Sequence, residues 1–355
     1  MHKKTIVTVT GIRPDFIRMS EIIRRLDEEP TFKHVLIHTG QHYDEILSGV
    51  FFKDLDIRKP DHNLGIGGSS RSHYHQQAQL SVKIIELLEK HDISPDIVLF
   101  LGDSNSVLAS VPLRKQGYKI GHIEAGMRSY DERMLEEINR KVCDHVSNVL
   151  FVYHENYKKK AMREGILADK IFVVGNTIVE PLKRFKSPEY QSKRSHITMD
   201  IHRPENFQHK ERLQKIFDYA NEYARKFSLP VKMISFGRTM LAIKEYNINI
   251  GKVECIPMMG YKEYIRFQED SLFVISDSGT AQEEAPFLGV PVIIPRDFTE
   301  RPESIENNCS FMLLLNNHCY QESVDWLNNY DGGSIEWLGD GTTSQKVLDI
   351  LKEIL

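Results

Sequence analysis

The sequence feature that most constrains the fold is a regular alternation of short β-branched segments with longer amphipathic segments. Strand–helix alternation repeated this often predicts parallel sheets with helices on both faces, which is the α/β class. The predicted strands are Thr5–Thr10, His34–His38, Asp96–Leu101, Lys119–Ile123, Val149–Val152, Ile171–Val174, His196–Asp200, Val231–Ser235, Val253–Ile256, Leu272–Ser276 and Pro291–Ile294. The main predicted helices are Pro14–Glu28, Gln76–Lys90, Glu132–Val146, Glu211–Lys226 and Ala281–Leu288.

Chain length divides this pattern into two domains. The chain has 355 residues, which is too long for one ordinary domain and suits two domains of roughly 150–200 residues each. The polar stretch Lys183–Ser195 has no clear strand pattern and predicts a linker. We therefore expect two Rossmann-like domains, residues 1–182 and residues 183–343.

Composition limits the partners of the protein. The chain is 41% hydrophobic and 27% charged, which is typical of a globular protein, and its net charge of −4 gives no basic surface for nucleic acid. No segment approaches the ~18 consecutive apolar residues of a membrane span, and the N-terminus lacks a secretory h-region. The four cysteines form no CxxC pair, which is typical of reduced cytosolic thiols. We expect a cytoplasmic protein with no metal and with no nucleic-acid or membrane partner.

Most polar motifs come directly after a predicted strand, at the edge where parallel α/β sheets bind ligands. In Gly11–Asp15, the glycine permits a tight turn, Pro14 suits the first turn of a helix, and Arg13 is placed to meet a phosphate. A solvated turn arginine is the alternative for Arg13. The segment Thr39–His42 offers a glutamine and a histidine to a ligand, although a lone histidine is more often structural.

Acidic residues provide candidate proton-transfer groups in the first half. Asp103, within Gly102–Ser106, follows a very apolar strand and suits an acid, a base or a helix N-cap. Glu124 ends a β-rich run, where a carboxylate costs free energy unless it is partnered or used, and burial beside other acids would raise its pKa. Glu136 and Arg140 are four residues apart on a predicted helix, which by itself usually indicates a surface ion pair.

Three further motifs follow strands of the second half. A histidine and an arginine together at a sheet edge, as in His202–Arg203, are better suited to binding a diphosphate than to packing in a core. The run Ser276–Glu284 leads small hydroxyl residues and a glycine into a helix, which predicts an anion site at free backbone N–H groups, with helix capping as the alternative. Glu284, one helical turn further on, is placed to accept the two hydroxyls of a ribose. The charged stretch Arg296–Glu303 lies at the same edge, and its default interpretation is a solvated loop.

These motifs are weak singly, but their order is specific. Over about Thr5–Glu303 the chain resembles the non-hydrolysing UDP-N-acetylglucosamine 2-epimerase family through GIRPDFIRM, TGQHYDE, GDSNS, HIEAGMRS, EEINR, GNT, HRPEN, SDSGTAQEEAPFLGVPVI and RDFTERPE. The resemblance implies two Rossmann-like domains facing across a cleft, the glycosyltransferase-B type, with the helix Ser344–Leu355 joining the first domain. It also implies a cytoplasmic homodimer that binds a UDP-sugar and needs no cofactor, neither metal nor NAD.

The resemblance also assigns roles residue by residue. The positions that match the family's catalytic residues are Asp103, Glu124, Glu136 and His202. The positions that match its substrate- and UDP-binding residues are Arg13, Arg18, Arg140, Ser278, Gly279, Thr280 and Glu284. Within the second set, Arg18 stands where the family often has lysine, and Thr280 stands where many members have a second glycine.

The reaction implied by the resemblance inverts C2 of a UDP-sugar. The C2 proton is weakly acidic because the neighbouring anomeric carbon is not a carbonyl, so UDP leaves C1 as the C2 proton is lost. The product is a 2-acetamidoglucal, to which UDP adds back with protonation from the opposite face. The main prediction is the interconversion of UDP-N-acetylglucosamine and UDP-N-acetylmannosamine for polysaccharide biosynthesis.

Local departures from the family pattern keep other activities open. Leu135 replaces a proline, Asn105 replaces a threonine, and Gln41–Glu45 lacks the methionine with which some bacterial members bind a second UDP-N-acetylglucosamine, which argues against allosteric activation. These differences are closer to relatives that act on modified sugars. The alternative substrate is therefore a modified UDP-sugar such as UDP-2,3-diacetamido-2,3-dideoxy-glucuronate. The candidate partners for its carboxylate are Arg18, His42, Arg71 and Arg128. A hydrolysing 2-epimerase, a glycosyltransferase of the same fold and a non-catalytic UDP-sugar sensor are further alternatives.

Overall fold

The computed structural model describes residues 3–40, 52–67, 72–186, 189–315 and 319–355. The chain divides into two units, one formed by Met1–Pro181 with Leu338–Leu355 and the other by Leu182–Trp337. Each unit has a parallel sheet and a hydrophobic core of its own, which confirms the predicted α/β class. The predicted ligand positions in Gln41–Glu45, and Arg71, lie outside the described residues.

The first unit is built on a seven-stranded sheet. Its strands are β1 (Lys4–Thr10), β2 (Phe32–His38), β3 (His62–Asn63), β4 (Ile97–Leu101), β5 (Ile120–Ile123), β6 (Val149–Val152) and β7 (Ile171–Val173). All neighbouring strands are parallel, in the order β3-β2-β1-β4-β5-β6-β7. The order reverses between β1 and β4, and sheets of this kind bind ligands at the carboxyl ends of the strands beside such a reversal.

Amphipathic helices connect these strands. They are α1 (Arg13–Glu28), α2 (His73–Lys90), α3 (Ser110–Lys115), α4 (Leu135–Val146), α5 (Glu155–Arg163) and α6 (Val179–Phe185). In α1, Phe16, Met19, Ile23 and Leu26 recur at helical spacing and are all buried. The helix ends at Glu28 because Pro30 disfavours helical backbone at the residue before it.

The second unit repeats the same arrangement with six strands. They are β8 (His196–Asp200), β9 (Val231–Ile234), β10 (Glu254–Ile256), β11 (Ser271–Ser276), β12 (Val292–Ile294) and β13 (Ser310–Met312). The strands are parallel, in the order β10-β9-β8-β11-β12-β13, so the reversal lies between β8 and β11. The connecting helices are α7 (Pro204–Phe207), α8 (Lys210–Phe227), α9 (Gly237–Glu245), α10 (Tyr261–Glu269), α11 (Ala281–Phe287), α12 (Pro302–Glu306) and α13 (Tyr320–Asn328).

The last helix, α14 (Thr343–Ile354), belongs to the first unit. The Arg25 guanidinium in α1 donates to Gln345 Oε1 at 2.7 Å, and the Ser344 backbone N–H donates to Glu180 Oε2 at 2.9 Å. These contacts fix α14 against α1 and α6. Among the described residues, none of the helices has both the length and the apolar character needed to cross a membrane.

Candidate active site

In each unit, the motifs predicted from the sequence lie at the carboxyl ends of strands, near the point where the strand order of that unit reverses. In the first unit, Arg13 follows β1, Asp103 follows β4 and Glu124 follows β5. In the second unit, His202 follows β8 and the turn Ser278–Thr280 follows β11. Each sheet therefore presents its polar motifs at the edge where α/β folds bind ligands.

Glu124 is the centre of the polar cluster in the first unit. Its side chain is buried, and its backbone φ of 65° lies in the left-handed region, which is costly for a residue with a long side chain. Its Oε2 atom contacts the Arg18 guanidinium and accepts a hydrogen bond from the Tyr153 hydroxyl at 3.2 Å. Arg140 Nη2 lies 3.6 Å from Oε1. The carboxylate is thus paired with two arginines, which the sequence did not predict.

Arg140 links Glu124 to Asp103. The Arg140 side chain is fully buried, and its Nη2 atom also contacts the Asp103 carboxylate. The neighbouring Asn139 amide donates to the Asp103 backbone carbonyl at 2.9 Å. Ser104, and not Asp103, is the N-cap residue of the 3₁₀ turn that follows, so the capping interpretation of Asp103 was wrong. The surface ion pair expected for Arg140 was also wrong, because the structure buries that guanidinium between two carboxylates.

The two glutamates at the start of α4 have different environments. Glu137 is buried, and its carboxylate accepts from the Ser129 backbone N–H at 3.0 Å and from the Tyr130 N–H at 3.2 Å. It therefore stabilises the turn that leads into α4. Glu136 is half-buried in the first turn of the helix. Its catalytic role stays a prediction.

Asp15 is a buried carboxyl to which the motif analysis assigned no role. Its Oδ2 atom accepts from the Gly11 N–H at 2.7 Å and from the Ile12 N–H at 3.1 Å, and it lies 3.4 Å from the Ser104 hydroxyl. Burial, with a smaller contribution from the Asp103 charge, raises the pKa of Asp15 to about 7. Asp15 therefore joins the turn that carries Arg13 to the turn that follows Asp103.

His202 is held by two aspartates at the reversal point of the second sheet. Its Nδ1 atom lies 2.8 Å from Asp200 Oδ1, and its backbone N–H donates to Asp277 Oδ1 at 3.0 Å. Burial disfavours the charged ring, but the Asp200 and Asp277 carboxylates outweigh that cost and raise the pKa of His202. The raised pKa favours the protonated imidazole, which suits an anionic ligand at this edge.

Asp200, His202 and Asp277 are close enough together to be tested as a metal site. Among the described residues, their possible ligand atoms lie within 4.8 Å of one another. Hydrogen bonds already engage these groups. Asp277 Oδ2 accepts from the Arg203 N–H at 3.1 Å and from the Asn206 amide at 2.9 Å. The donor set fits a protein hydrogen-bond network better than a cation site.

The turn after β11 is packed against buried charges. A Cβ atom added to Gly279 would overlap Nη1 of Arg301 and Oε1 of Glu300, so only glycine fits at this position. Arg301 Nε pairs with Glu283 Oε1 at 2.8 Å, and Arg296 Nη1 pairs with Glu300 Oε2 at 3.2 Å. All four side chains are buried. The interpretation of Arg296–Glu303 as a solvated loop was therefore wrong.

Glu284 lies in the first turn of α11 and is buried. The Tyr261 hydroxyl donates to its Oε1 atom at 2.7 Å, and the Gln268 amide donates to Oε2 at 3.3 Å. Two donors from α10 thus fix both carboxylate oxygens. This arrangement orients Glu284 next to the Ser278–Thr280 turn and is compatible with the predicted contact to a ribose.

Comparison with known proteins decides the family. The sequence profile described as UDP-N-acetylglucosamine 2-epimerase matches residues 24–352. The chain belongs to this family. A UDP-N-acetylglucosamine 2-epimerase of Methanococcus maripaludis is 37% identical, with 97% of each chain covered. A UDP-2,3-diacetamido-2,3-dideoxy-D-glucuronate 2-epimerase of Pseudomonas aeruginosa is 35% identical over 84% of this chain and 85% of its own.

A solved structure supports the same assignment. The crystal structure of the Methanocaldococcus jannaschii UDP-GlcNAc 2-epimerase in complex with UDP-GlcNAc and UDP matches with a TM-score of 0.90 at 33% identity. The match covers 98% of this chain and 99% of the other. The predicted family, the enzyme class of isomerase and the two-domain fold of the glycosyltransferase-B type are confirmed.

The raised pKa of Asp15 predicts a pH-dependent stability. Because the folded chain holds this proton up to about pH 7 and an unfolded aspartate releases it near pH 3.9, the free energy of unfolding should fall as pH rises through that window. Asp15→Asn keeps the acceptor oxygen and removes the titration. As pH rises from about 4 to about 8, the free energy of unfolding of the variant should therefore increase by roughly 2–4 kcal/mol relative to that of wild type.

Urea unfolding of both proteins across this pH range measures the difference, and the subtraction removes the contribution of every other titrating group. A stability difference that stays constant with pH would show that folding does not raise the pKa of Asp15.

The crowding at Gly279 predicts a local cost for any side chain. Gly279→Ala should lower the free energy of unfolding by about 1–3 kcal/mol, because the new methyl group must displace Arg301 or Glu300. Gly237→Ala is the matched control, since a Cβ atom there meets no neighbour and the residue opens helix α9. Chemical denaturation compares the two variants, and equal stabilities would contradict the argument.

Proposed function

We propose that this family member interconverts UDP-N-acetylglucosamine and UDP-N-acetylmannosamine by eliminating UDP and adding it back. The observation that carries the proposal is the cluster in which the buried Arg140 contacts both the partly exposed Asp103 and the buried Glu124, with Arg18 on the other oxygen of Glu124. Such a cluster holds two carboxylates at fixed positions beside one another. Inversion of C2 needs proton transfer on two faces of one carbon, and paired carboxylates suit that task.

The second unit supplies the groups that bind UDP. The Ser278–Thr280 turn and the ring of His202, whose raised pKa favours protonation, suit the diphosphate, and the fixed carboxylate of Glu284 suits the ribose hydroxyls. When the C1–O bond breaks, negative charge develops on the departing diphosphate. Donors that are already oriented stabilise this charge without reorganising, which lowers the barrier for elimination. Arg13, which follows β1, matches the family arginine that contacts the nucleotide phosphates.

The first unit supplies the proton chemistry. One carboxylate takes the C2 proton as UDP leaves, so that the electron pair forms the double bond of 2-acetamidoglucal. On the return path a proton is delivered to the opposite face of C2 and UDP re-forms the bond to C1. Asp103, Glu124 and Glu136 are the candidate proton-transfer groups, and Arg18 and Arg140 offset the cost of burying negative charge beside the sugar.

The choice of sugar rests on which cations are available to a substrate carboxylate. A uronate would bring a second negative charge into the first unit and would need a partner. Of the four candidate partners, Arg18 contacts Glu124, and Arg128 pairs with Asp144 and Glu164 at 2.7 and 2.6 Å. Both guanidinium groups are thus committed to carboxylates of the chain. Among the candidates that the structure describes, which do not include His42 and Arg71, this supports the neutral sugar over the uronate named for the Pseudomonas aeruginosa relative.

A competition assay tests the substrate. With equal concentrations of UDP-N-acetylglucosamine and UDP-2,3-diacetamido-2,3-dideoxy-glucuronate, we expect C2 inversion of the neutral sugar to dominate. The assay contains EDTA and no added NAD, because the proposed mechanism needs neither a metal nor a redox cofactor. Product NMR follows C2, and free UDP is quantified at the same time. Preferential inversion of the uronate by about tenfold would promote the alternative, and stoichiometric UDP release would indicate a hydrolysing enzyme.

The three carboxylates are tested by near-isosteric substitution. Asp103→Asn, Glu124→Gln and Glu136→Gln should each lose most turnover and keep UDP affinity, because the change removes proton exchange in the first unit and leaves the second unit intact. Glu132→Gln changes an exposed carboxylate in the loop four residues before Glu136 and serves as control. If Glu124→Gln keeps more than about a tenth of wild-type kcat, equivalent to ~1.4 kcal/mol of barrier, Glu124 is not a proton-transfer group.

Assembly and location complete the proposal. We infer a cytoplasmic homodimer that serves polysaccharide biosynthesis, as the family resemblance implies. Light scattering of the purified enzyme gives the oligomeric state directly, and a monomer at micromolar concentration would contradict the dimer.

A further inference from the structure

A buried polar chain lies beneath the turns that carry Asp103 and Glu124. Arg128 Nη2 lies 2.7 Å from Asp144 Oδ2, and Asp144 Oδ1 lies 2.7 Å from His122 Nδ1. The other ring nitrogen of His122, Nε2, lies 2.7 Å from the backbone carbonyl of Gly102. The side chains of Arg128, Asp144 and His122 are inaccessible to solvent.

The chain of contacts ends on the backbone of both turns. Gly102, with φ of 71°, joins β4 to Asp103, and its N–H donates to the Ile123 carbonyl at 2.9 Å. Asp144 Oδ2 also accepts from the Gly126 N–H at 3.1 Å, two residues after Glu124. Asp144 and His122 therefore connect the turn after β4 to the turn after β5 from below.

The ring of His122 acts as a double donor. Burial disfavours the charged ring, but the Cys143 sulfur and the Asp144 carboxylate outweigh that cost and raise the pKa of His122 to about 10. At neutral pH both ring nitrogens then carry protons. Nδ1 donates to Asp144, and Nε2 donates to the Gly102 carbonyl.

Such a network is costly to bury, and its stabilising value is small compared with apolar packing of the same volume. The network instead fixes the relative positions of its members, because a fully satisfied polar network allows only one arrangement of them. The left-handed backbone of Glu124 needs this kind of support, since a strained residue persists only where its surroundings over-determine its conformation.

We propose that His122 is a positioning residue, which fixes the Gly102 carbonyl and thereby sets the position of Asp103 relative to Glu124. Asp144, itself held by Arg128, orients the His122 ring. The kinetic consequence of this inference rests on the proposed function, and its structural consequence does not.

Two substitutions of His122 separate the two hydrogen bonds. In His122→Gln, the side-chain amide nitrogen occupies the place of Nε2 and can still donate to Gly102. In His122→Asn, the amide nitrogen occupies the place of Nδ1 and can still donate to Asp144 but cannot reach Gly102. The inference requires that His122→Asn is the more damaging change. Asp144→Asn provides a third variant, which keeps an acceptor for the ring and removes the charge.

His34 offers a matched control in the same sheet. Its side chain is buried in β2, with Nδ1 2.6 Å from Asp27 Oδ1 and Nε2 2.9 Å from the Thr8 hydroxyl. It is thus a second strand histidine that bridges an aspartate and a neighbouring strand, away from the carboxyl ends that carry the motifs. His34→Asn and His34→Gln should lower stability without changing turnover.

Hydrogen–deuterium exchange tests the structural consequence. Backbone amides in the turns at residues 101–106 and 123–128 should exchange faster in His122→Asn by about tenfold or more. Exchange in His122→Gln should stay near the wild-type rate, and the His34 variants should leave both turns unchanged. Wild-type exchange at both turns in His122→Asn, or equal acceleration throughout the first unit, would overturn the inference.

Steady-state kinetics test the functional consequence. We expect kcat to fall by about tenfold or more in His122→Asn, while KM and the Kd for UDP stay within about threefold, because the ligand contacts are unchanged. His122→Gln should recover most of the lost kcat. Equal losses in the two variants would reduce His122 to a residue that only supports the fold. If wild type inverts no UDP-sugar, the proposed function is wrong, and the exchange data still decide whether His122 fixes the turn.

Discussion

The arrangement of the first unit depends on one buried guanidinium. Arg140 is fully enclosed and contacts both Asp103 and Glu124, which follow neighbouring strands β4 and β5. Burying a cation is costly unless anions satisfy it, and burying two carboxylates side by side is costly unless a cation separates them. Each of the three charged groups therefore lowers the free-energy cost of burying the other two. The glycine at 102, the strained backbone at 124 and the helix that carries Arg140 all follow from bringing these three charges to one place.

The sequence predicted the fold well because its strongest signals are local. The segments His196–Asp200 and Val149–Val152 form strands with the predicted bounds. The first alternates apolar and polar residues, and the second is a short continuous apolar run, which are both typical strand patterns. The strands β3 and β13 were missed because they are only two and three residues long. The sequence could also predict which residues end each strand, and thus which side chains reach the ligand edge.

Electrostatic partners were harder to predict than positions. The sequence did not predict the arginines that contact Glu124, and it suggested solvent around Arg296–Glu303, whose arginine and glutamate side chains the structure buries. Both errors have one cause: charge pairing across a fold depends on contacts between residues far apart in the chain. Asp15 and the pair His122–Asp144 were overlooked for the same reason. A histidine followed 22 residues later by an aspartate carries no signal until a sheet and a helix bring them together.

The last helix has a consequence for how the protein is made. Helix α14 completes the first unit through Gln345 and Ser344, which bond to Arg25 and Glu180. A ribosome delivers residues in order, and domains usually fold as they emerge. Here the first unit emerges early but lacks its closing helix until the whole second unit has been synthesised. The nascent enzyme therefore spends most of its translation with the α14-binding face of α1 uncovered, and chaperones that recognise apolar surface have their longest opportunity there.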